Sequence, residues 1–184
     1  MPFIEDTLTF QVRAVKQPIK KKFFITLEGN TITWLGLRAG MVGKIGFYAE
    51  FRGNPDAFKK SSFTCNDGIL IDYNVPGYYS FTGKNGYSAF SVLGGITWQV
   101  VPNLFFYYGA GYCKENYLVQ IDQFNYDNPL PYSQAYAKYT GYCTSGLEFD
   151  LGLIYRVKWL LVSAGYTGMS QYAINWTAGI GVTF

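Results

Sequence analysis

The C-terminal stretch carries the clearest pattern in the chain. From Tyr172 to Phe184 the even positions read Tyr, Ile, Trp, Ala, Ile, Val, Phe, and the odd positions read Ala173, Asn175, Thr177, Gly179, Gly181, Thr183. Strict alternation of this kind describes a strand with one apolar face and one small or polar face. Upstream the pattern returns. Lys158 to Thr167 sets Leu160, Val162, Ala164 and Tyr166 against Ser163, Gly165 and Thr167, with Leu161 an apolar exception. Gly146 to Arg156 sets Leu147, Phe149, Leu151, Leu153 and Tyr155 against Glu148, Asp150, Gly152 and Arg156. Ser88 to Val100, Lys44 to Arg52 and Trp34 to Met41 alternate in the same way, and Phe23 to Glu28 precedes them. Leu104 to Cys113 is apolar on both faces near its start, which leaves its facing open. These segments make eight predicted strands.

Their connections alternate in length. Val42-Gly43, Val101 to Asn103 and Arg156 to Lys158 are tight, whereas residues 53 to 86 and 114 to 142 read as long loops. Short turns on one side and long loops on the other are the habit of a membrane barrel, with the short turns periplasmic. The fold expected is an all-β, closed, antiparallel up-and-down transmembrane β-barrel of about eight strands over residues 23–184. Residues 1–22 are read as an N-terminal periplasmic segment or the remnant of a preceding domain. Thr7 to Ala14 alternates like a strand, while Pro18 and the lysines 16, 20, 21 and 22 mark a boundary. No apolar signal-peptide core lies within that stretch, so an exported protein would be represented here by a mature or truncated form.

The direction of the apolar face follows from what stands opposite it. Glu28, Arg38, Glu50, Arg52, Glu148 and Asp150 share the other face with many glycines. Glycine weakens an exposed strand, but inside a narrow barrel it makes room for long side chains from across the lumen. The apolar face is therefore expected to meet lipid. An eight-stranded lumen is filled by side chains, so Arg38, Glu50, Arg52, Glu148 and Asp150 are expected to form an interior charge network. Counted from the tight turns, Arg52 levels with Glu148 and Glu50 with Asp150, with Arg38 about one layer lower. Trp98, Tyr155, Trp159 and Phe184 near the tight turns, and Tyr112, Tyr166 and Tyr172 near the loops, suit two interfacial girdles.

Composition agrees with this reading and narrows the chemistry. The chain of 184 residues is 20% aromatic and only 15% charged, with 21 glycines and a formal charge of +3. No basic footprint for nucleic acid is present. His is absent, which removes Ser–His–Asp and Cys–His catalysis and His-ligated metals. No metal or other cofactor is expected. Cys65, Cys113 and Cys143 are read as free thiols, although Cys113 and Cys143 flank one long loop and admit a disulfide in an oxidising compartment. Glu148 and Asp150 have the spacing of an acid–base pair, but ion pairing inside the barrel accounts for them better.

The final residues Trp176, Ile180, Val182 and Phe184, apolar at every second position and closed by an aromatic, resemble the C-terminal assembly signal of outer-membrane barrels. Over residues 23–184 the pattern resembles the small outer-membrane protein A and X type barrels, in a Gly- and Tyr-rich style similar to that of Bacteroidetes. The resemblance implies a bacterial outer-membrane location, lipid as surroundings and the barrel-assembly machinery as a partner in biogenesis. Tyr73, Tyr78, Tyr79, Tyr126, Tyr132 and Tyr136 fall in the predicted loops among Asn, Ser, Gly and Pro, a recognition-type composition that packing of the loops among themselves explains equally well. Three functions stay open. The first is a non-enzymatic scaffold or surface-interaction protein with an unidentified extracellular or periplasmic partner. The second is an anchor or small conductance element for a missing N-terminal domain, and the third a soluble, lipocalin-like carrier with its apolar face inside.

Overall fold

The computed structural model describes residues 21–31, 33–54, 61–72, 74, 77–169 and 174–184. The segment 1–20, with its boundary and possible extra strand, lies outside the described residues. Eleven strands follow in order: β1 (Lys22–Asn30), β2 (Leu35–Val42), β3 (Ile45–Gly53), β4 (Phe63–Asn66), β5 (Ile69–Leu70), β6 (Tyr78–Val101), β7 (Leu104–Phe124), β8 (Ser133–Tyr139), β9 (Thr144–Val157), β10 (Leu160–Met169) and β11 (Asn175–Thr183). Eight of them close a ring in the order β1, β2, β3, β6, β7, β9, β10, β11, and every pairing in it is antiparallel. No helix among the described residues is long and apolar enough to cross a membrane.

Register fixes the shape of the ring. Starting from Asn175, successive cross-strand partners are Thr167, Asp150, Gly109, Gly95, Tyr48, Gly40, Phe24 and finally Thr183, so the circuit closes eight residues further along β11. Eight strands with a shear of eight tilt by about 36° and leave a lumen that side chains fill. Asn103 and Lys158 take left-handed backbone conformations in two of the tight turns. The start of β1 at Lys22 and the end of β11 sit on this tight-turn side, where the Phe184 amide donates to the Phe23 carbonyl at 2.9 Å.

The outside of the ring is hydrocarbon. Leu37 is 51% exposed, Ile96 55% and Ile180 57%, and every ring strand contributes such residues. Half-exposed leucines and isoleucines around a whole circumference would not be tolerated in water, and they define a lipid-facing belt. Trp98, Tyr155, Trp159 and Phe184 point outward near the tight turns, and Tyr112 and Tyr166 do so further up; Tyr172 lies outside the described residues.

The inside is polar except at one end. Phe24, Val42, Phe105, Ile154 and Leu161 form an apolar plug towards the tight turns, topped by Tyr48 and Tyr107. The plug explains why Leu161 breaks its strand's alternation. It also settles the facing of β7, whose Phe105 and Tyr107 point in while Phe106 and Tyr108 point out. A soluble carrier would keep its apolar face inside, and in this ring that face is outside while Arg38, Arg52 and their carboxylates are inside.

The long-loop expectation needs correction. Residues 78–88 and 114–124 continue β6 and β7 well beyond the ring, and β8, β4 and β5 extend that hairpin sideways into a sheet outside the membrane. β4 runs parallel to β8. Tyr79 on β6 reaches round to accept a hydrogen bond from the Leu70 amide on β5 at 3.2 Å, so the sheet is curled. Cys65, Leu70, Ile121 and Ala137 form a small core on its concave side.

Spin labels placed along β11 check the inside-out arrangement. Dissolved oxygen should reach labels at Trp176, Ala178 and Ile180 in a lipid-reconstituted barrel, and a label at Thr177 should be shielded. Equal oxygen access at Trp176 and Thr177 would contradict the observed facing.

Candidate functional site

Two parts of the molecule carry polar chemistry: the ring's interior and the curled sheet above it. Inside, alternation aims Glu28 on β1, Arg38 on β2, Glu50 and Arg52 on β3, and Glu148 and Asp150 on β9 into the lumen, each essentially buried. The Arg38 guanidinium is the hub. Its Nε and Nη2 lie 2.8 Å from Glu50 Oε2, Nη2 also lies 2.8 Å from Asp150 Oδ2, and Nη1 lies 3.4 Å from Glu28 Oε1. The Tyr107 ring sits beneath it, with the guanidinium carbon 4.0 Å from the ring centroid. Arg52 forms the next layer, with Nε 3.2 Å from Glu50 Oε1 and Nη2 3.3 Å from Glu148 Oε1.

Four carboxylates thus share two guanidiniums among the described residues, and hydroxyls supply further donors to three of them. Tyr48 donates to Asp150 at 3.1 Å, Thr26 and Ser163 donate to Glu28 at 2.8 and 2.7 Å, and Ser91 and Thr167 donate to Glu148. A buried charge is tolerable only when paired and hydrogen-bonded in this fashion. Arg38 stands directly opposite Glu50 in the β2–β3 register, not a layer below it, because the hairpin is centred on Lys44 and not on Val42-Gly43. Glu28 is the member that the sequence-derived network omitted. Its alternation with Thr26, and its place on the strand beside Arg38, were the available signals.

Each long inward side chain occupies space left by glycine. A Cβ on Gly36 would meet Arg52, one on Gly179 would meet the Glu28 carboxylate, and one on Gly165 would meet the Tyr107 hydroxyl. With the plug below and this network above, the described ring holds no open channel. The outside is apolar, the inside polar and filled. The chain is a closed, eight-stranded transmembrane β-barrel.

Solved structures of the same architecture include the attachment invasion locus protein Ail of Yersinia pestis in a phospholipid nanodisc, with 15% identity, 91% of this chain and 100% of that one covered, and a TM-score of 0.46. The same protein in complex with the heparin analogue sucrose octasulfate shows 12% identity, coverage of 90% and 96%, and a TM-score of 0.44. The N-terminal barrel domain of Pseudomonas aeruginosa OprF shows 12% identity, coverage of 89% and 96%, and a TM-score of 0.44. No protein-family model matches the chain, and no curated protein matches it in sequence. At such distances the barrel's own geometry carries the reading.

Outside the membrane the expected loop tyrosines separate. Tyr78 and Tyr79 lie in β6 and Tyr136 in β8, whereas Tyr126 and Tyr132 lie in the link between β7 and β8; Tyr73 is outside the described residues. Tyr78 stacks on Phe124 at 4.9 Å, with Tyr126 beside it at the tip. Lower down, Tyr117 is the centre of an aromatic group: Tyr87 lies 5.1 Å away, Tyr142 5.8 Å and Tyr139 6.3 Å between ring centroids. Tyr117 and Tyr139 belong to the loop aromatics read from the sequence, and Tyr87 and Tyr142 do not. The β6–β7 and β7–β8 pairings and the short 3-10 turn Thr140–Tyr142 bring the four together. Cys65, Cys113 and Cys143 are free thiols. Among the described residues no group of three His, Cys, Asp or Glu side chains is placed to hold a metal. The assembly-signal residues Trp176 and Phe184 are well exposed on the lipid side with Ile180, and Val182 is half-buried.

The interior network makes a quantitative expectation. Arg52→Met should destabilise the barrel by about 3–5 kcal/mol, because it leaves Glu148 buried without its cation, and adding Glu148→Gln should recover much of that loss. Arg38→Met should cost more than Arg52→Met, since Arg38 serves three carboxylates. Urea titrations of folding into lipid vesicles measure both. Strict additivity of the Arg52 and Glu148 changes would show that they do not act as a pair.

Proposed function

We propose that this protein is a non-catalytic outer-membrane barrel whose task is recognition outside the cell, performed by the curled sheet on top of the ring. The observation that carries the reading is the sheet itself. A barrel whose only role is to sit in the membrane closes its strands with turns, and β6 and β7 here run on past the bilayer to support three further strands and a separate core. That is rigid scaffolding for a surface, and rigid presentation of Tyr among Ser, Asn and Gly gives contact area at low entropic cost.

The filled lumen supports the same division of labour. Traffic through the ring would have to displace the Arg38 network and then the apolar plug, so the barrel serves as a mount and not a pore. Planar bilayers containing the protein should show no stable large conductance, and porin-like steps would overturn this.

Replacing residues 54–87 and 116–143 by short Asn-Gly turns removes the sheet and keeps all eight ring strands. Cells displaying this variant should keep a correctly assembled, heat-modifiable barrel and lose binding to arrays of extracellular glycans and proteins that cells with the full chain retain. Equal binding by both would refute recognition by the sheet.

A further inference from the structure

Between the two halves of the curled sheet lies a half-open cleft of about 270 Å³. One wall comes from β6 and β7 through Phe81, Asn85, Tyr117 and Val119, and the other from Cys65, the Gly68 turn and Tyr139. Register places these side chains on one surface. Phe81 pairs with Ile121, Asn85 with Val119, Tyr87 with Tyr117, and Val119 with Ala137 on β8, and this is the concave face that holds the small core. The cleft is that core's unfilled end.

Two backbone devices shape its mouth. The β6–β7 register slips between Phe81 and Asn85, and the extra residues, Gly83 in a left-handed conformation and Lys84 next to it, form a bulge. Bulges of this kind re-aim a side chain at a site, and this one brings a lysine to the cleft's lining. Opposite it, Asp67 and Gly68 form the two-residue turn between β4 and β5, both with positive φ. A Cβ on either Gly68 or Gly83 would meet nothing within 4 Å, so the mouth is open at both lips.

The lining selects a ligand chemistry. Its floor is apolar, and burial raises the Cys65 thiol above its ordinary range, so that side chain lines the cleft uncharged. Its tyrosine wall is held in place: Asn85 Nδ2 donates to the Tyr117 hydroxyl, and Tyr87, Tyr139 and Tyr142 pack around that ring. Rigid aromatic faces beside an amide suit a ring that shows C–H groups on its face and hydroxyls on its edge. The one charged residue in the lining is Lys84. The described part of the sheet as a whole carries more carboxylates than lysines, which disfavours a polyanion.

We infer that the cleft bounded by Tyr117, Tyr139, Asn85 and Lys84 binds a single sugar ring of a glycan, with Lys84 giving a preference for a ring that bears a carboxylate. This rests on the recognition reading above and names its ligand. The ring stacks on the tyrosine wall, its hydroxyls meet Asn85, and a carboxylate substituent meets the Lys84 ammonium at the rim.

Saturation-transfer NMR on the full chain in micelles, with methyl glucoside and methyl glucuronide as probes, tests the assignment. Both should bind, the glucuronide about two- to fivefold more tightly, the value of one exposed charge-assisted contact. Lys84→Gln should bring the two sugars to equal affinity, and Asn85→Ala should weaken both. Both residues are exposed on a bulge, so these variants keep the test independent of whether Tyr117→Ala folds. Tyr117→Ala, where it folds, should lose both sugars, and Tyr117→Phe should retain them. Absence of binding by either sugar, or binding untouched by Lys84→Gln and Asn85→Ala together, overturns the cleft assignment. If removal of the whole sheet abolishes surface binding while the cleft variants bind as the native chain does, recognition by the sheet stands and the sugar cleft falls. If sugars bind the cleft but sheet removal leaves surface binding intact, the cleft stands and the wider reading falls.

Discussion

Eight strands with a shear of eight enclose a lumen of one width, and almost everything else in the molecule answers to that width. Long side chains from neighbouring strands cannot lie side by side within it, so a long residue on one strand is laid over glycine on the next one or two. Tyr48 lies over Gly95 and Gly109, Tyr107 over Gly152 and Gly165, Arg52 over Gly36 and Glu28 over Gly179. These glycines are spacers; their value is volume. Once the long groups are interleaved in this way water is largely excluded, and the charges must find one another. The Arg38 hub and the Arg52 layer follow from confinement as much as from attraction.

The same constraint explains which parts of the architecture were legible in the sequence. Ring strands are read from alternation because lipid on one side demands hydrocarbon and a narrow lumen on the other demands small or paired polar residues. Tyr172 to Phe184 shows both demands at once. The segments Tyr78 to Ser88 and Ser133 to Tyr139 carry neither. They are strands with water on one face and a thin core on the other, built from Tyr, Ser, Gly, Asn and Lys, and their hydropathy resembles that of a loop. The β4–β8 pairing joins residues that stand more than seventy positions apart, such as Phe63 and Ala137, so no local pattern announces it.

The interior site was half legible for a related reason. Facing could be inferred residue by residue, which brought Arg38, Glu50, Arg52, Glu148 and Asp150 into view together. Heights could not, because alternation does not say where a hairpin is centred. The β2–β3 pairs are symmetric about Lys44 and not about Val42-Gly43, which sets Arg38 opposite Glu50, and Glu28 joins the network because its neighbour strand carries the hub, 3.4 Å away. Leu161 and Ile154 read as breaks in a polar face until the plug gives that face an apolar end.

Strand β7 shows how one segment serves two solvents. Its outward residues run Phe106, Tyr108, Ala110 and Tyr112, then change within one period to Lys114 and Asn116, which marks where the bilayer ends. Its inward residues change less. Phe105 and Tyr107 belong to the plug, Cys113 is buried in the lumen, Glu115 stands half-buried where the ring ends, and Val119 and Ile121 belong to the core of the curled sheet. The inward face packs against protein in both the ring and the sheet, so the outward face registers the crossing from lipid to water most plainly. Between the two cores the inward face passes the level where the ring ends and the curl has not yet closed. Tyr117 stands at that level, half-buried, and the cleft lies there because neither closure reaches it. On this account the cleft is the seam between two cores, and its aromatic lining is what the inward face of a barrel strand becomes when it is left partly open to water.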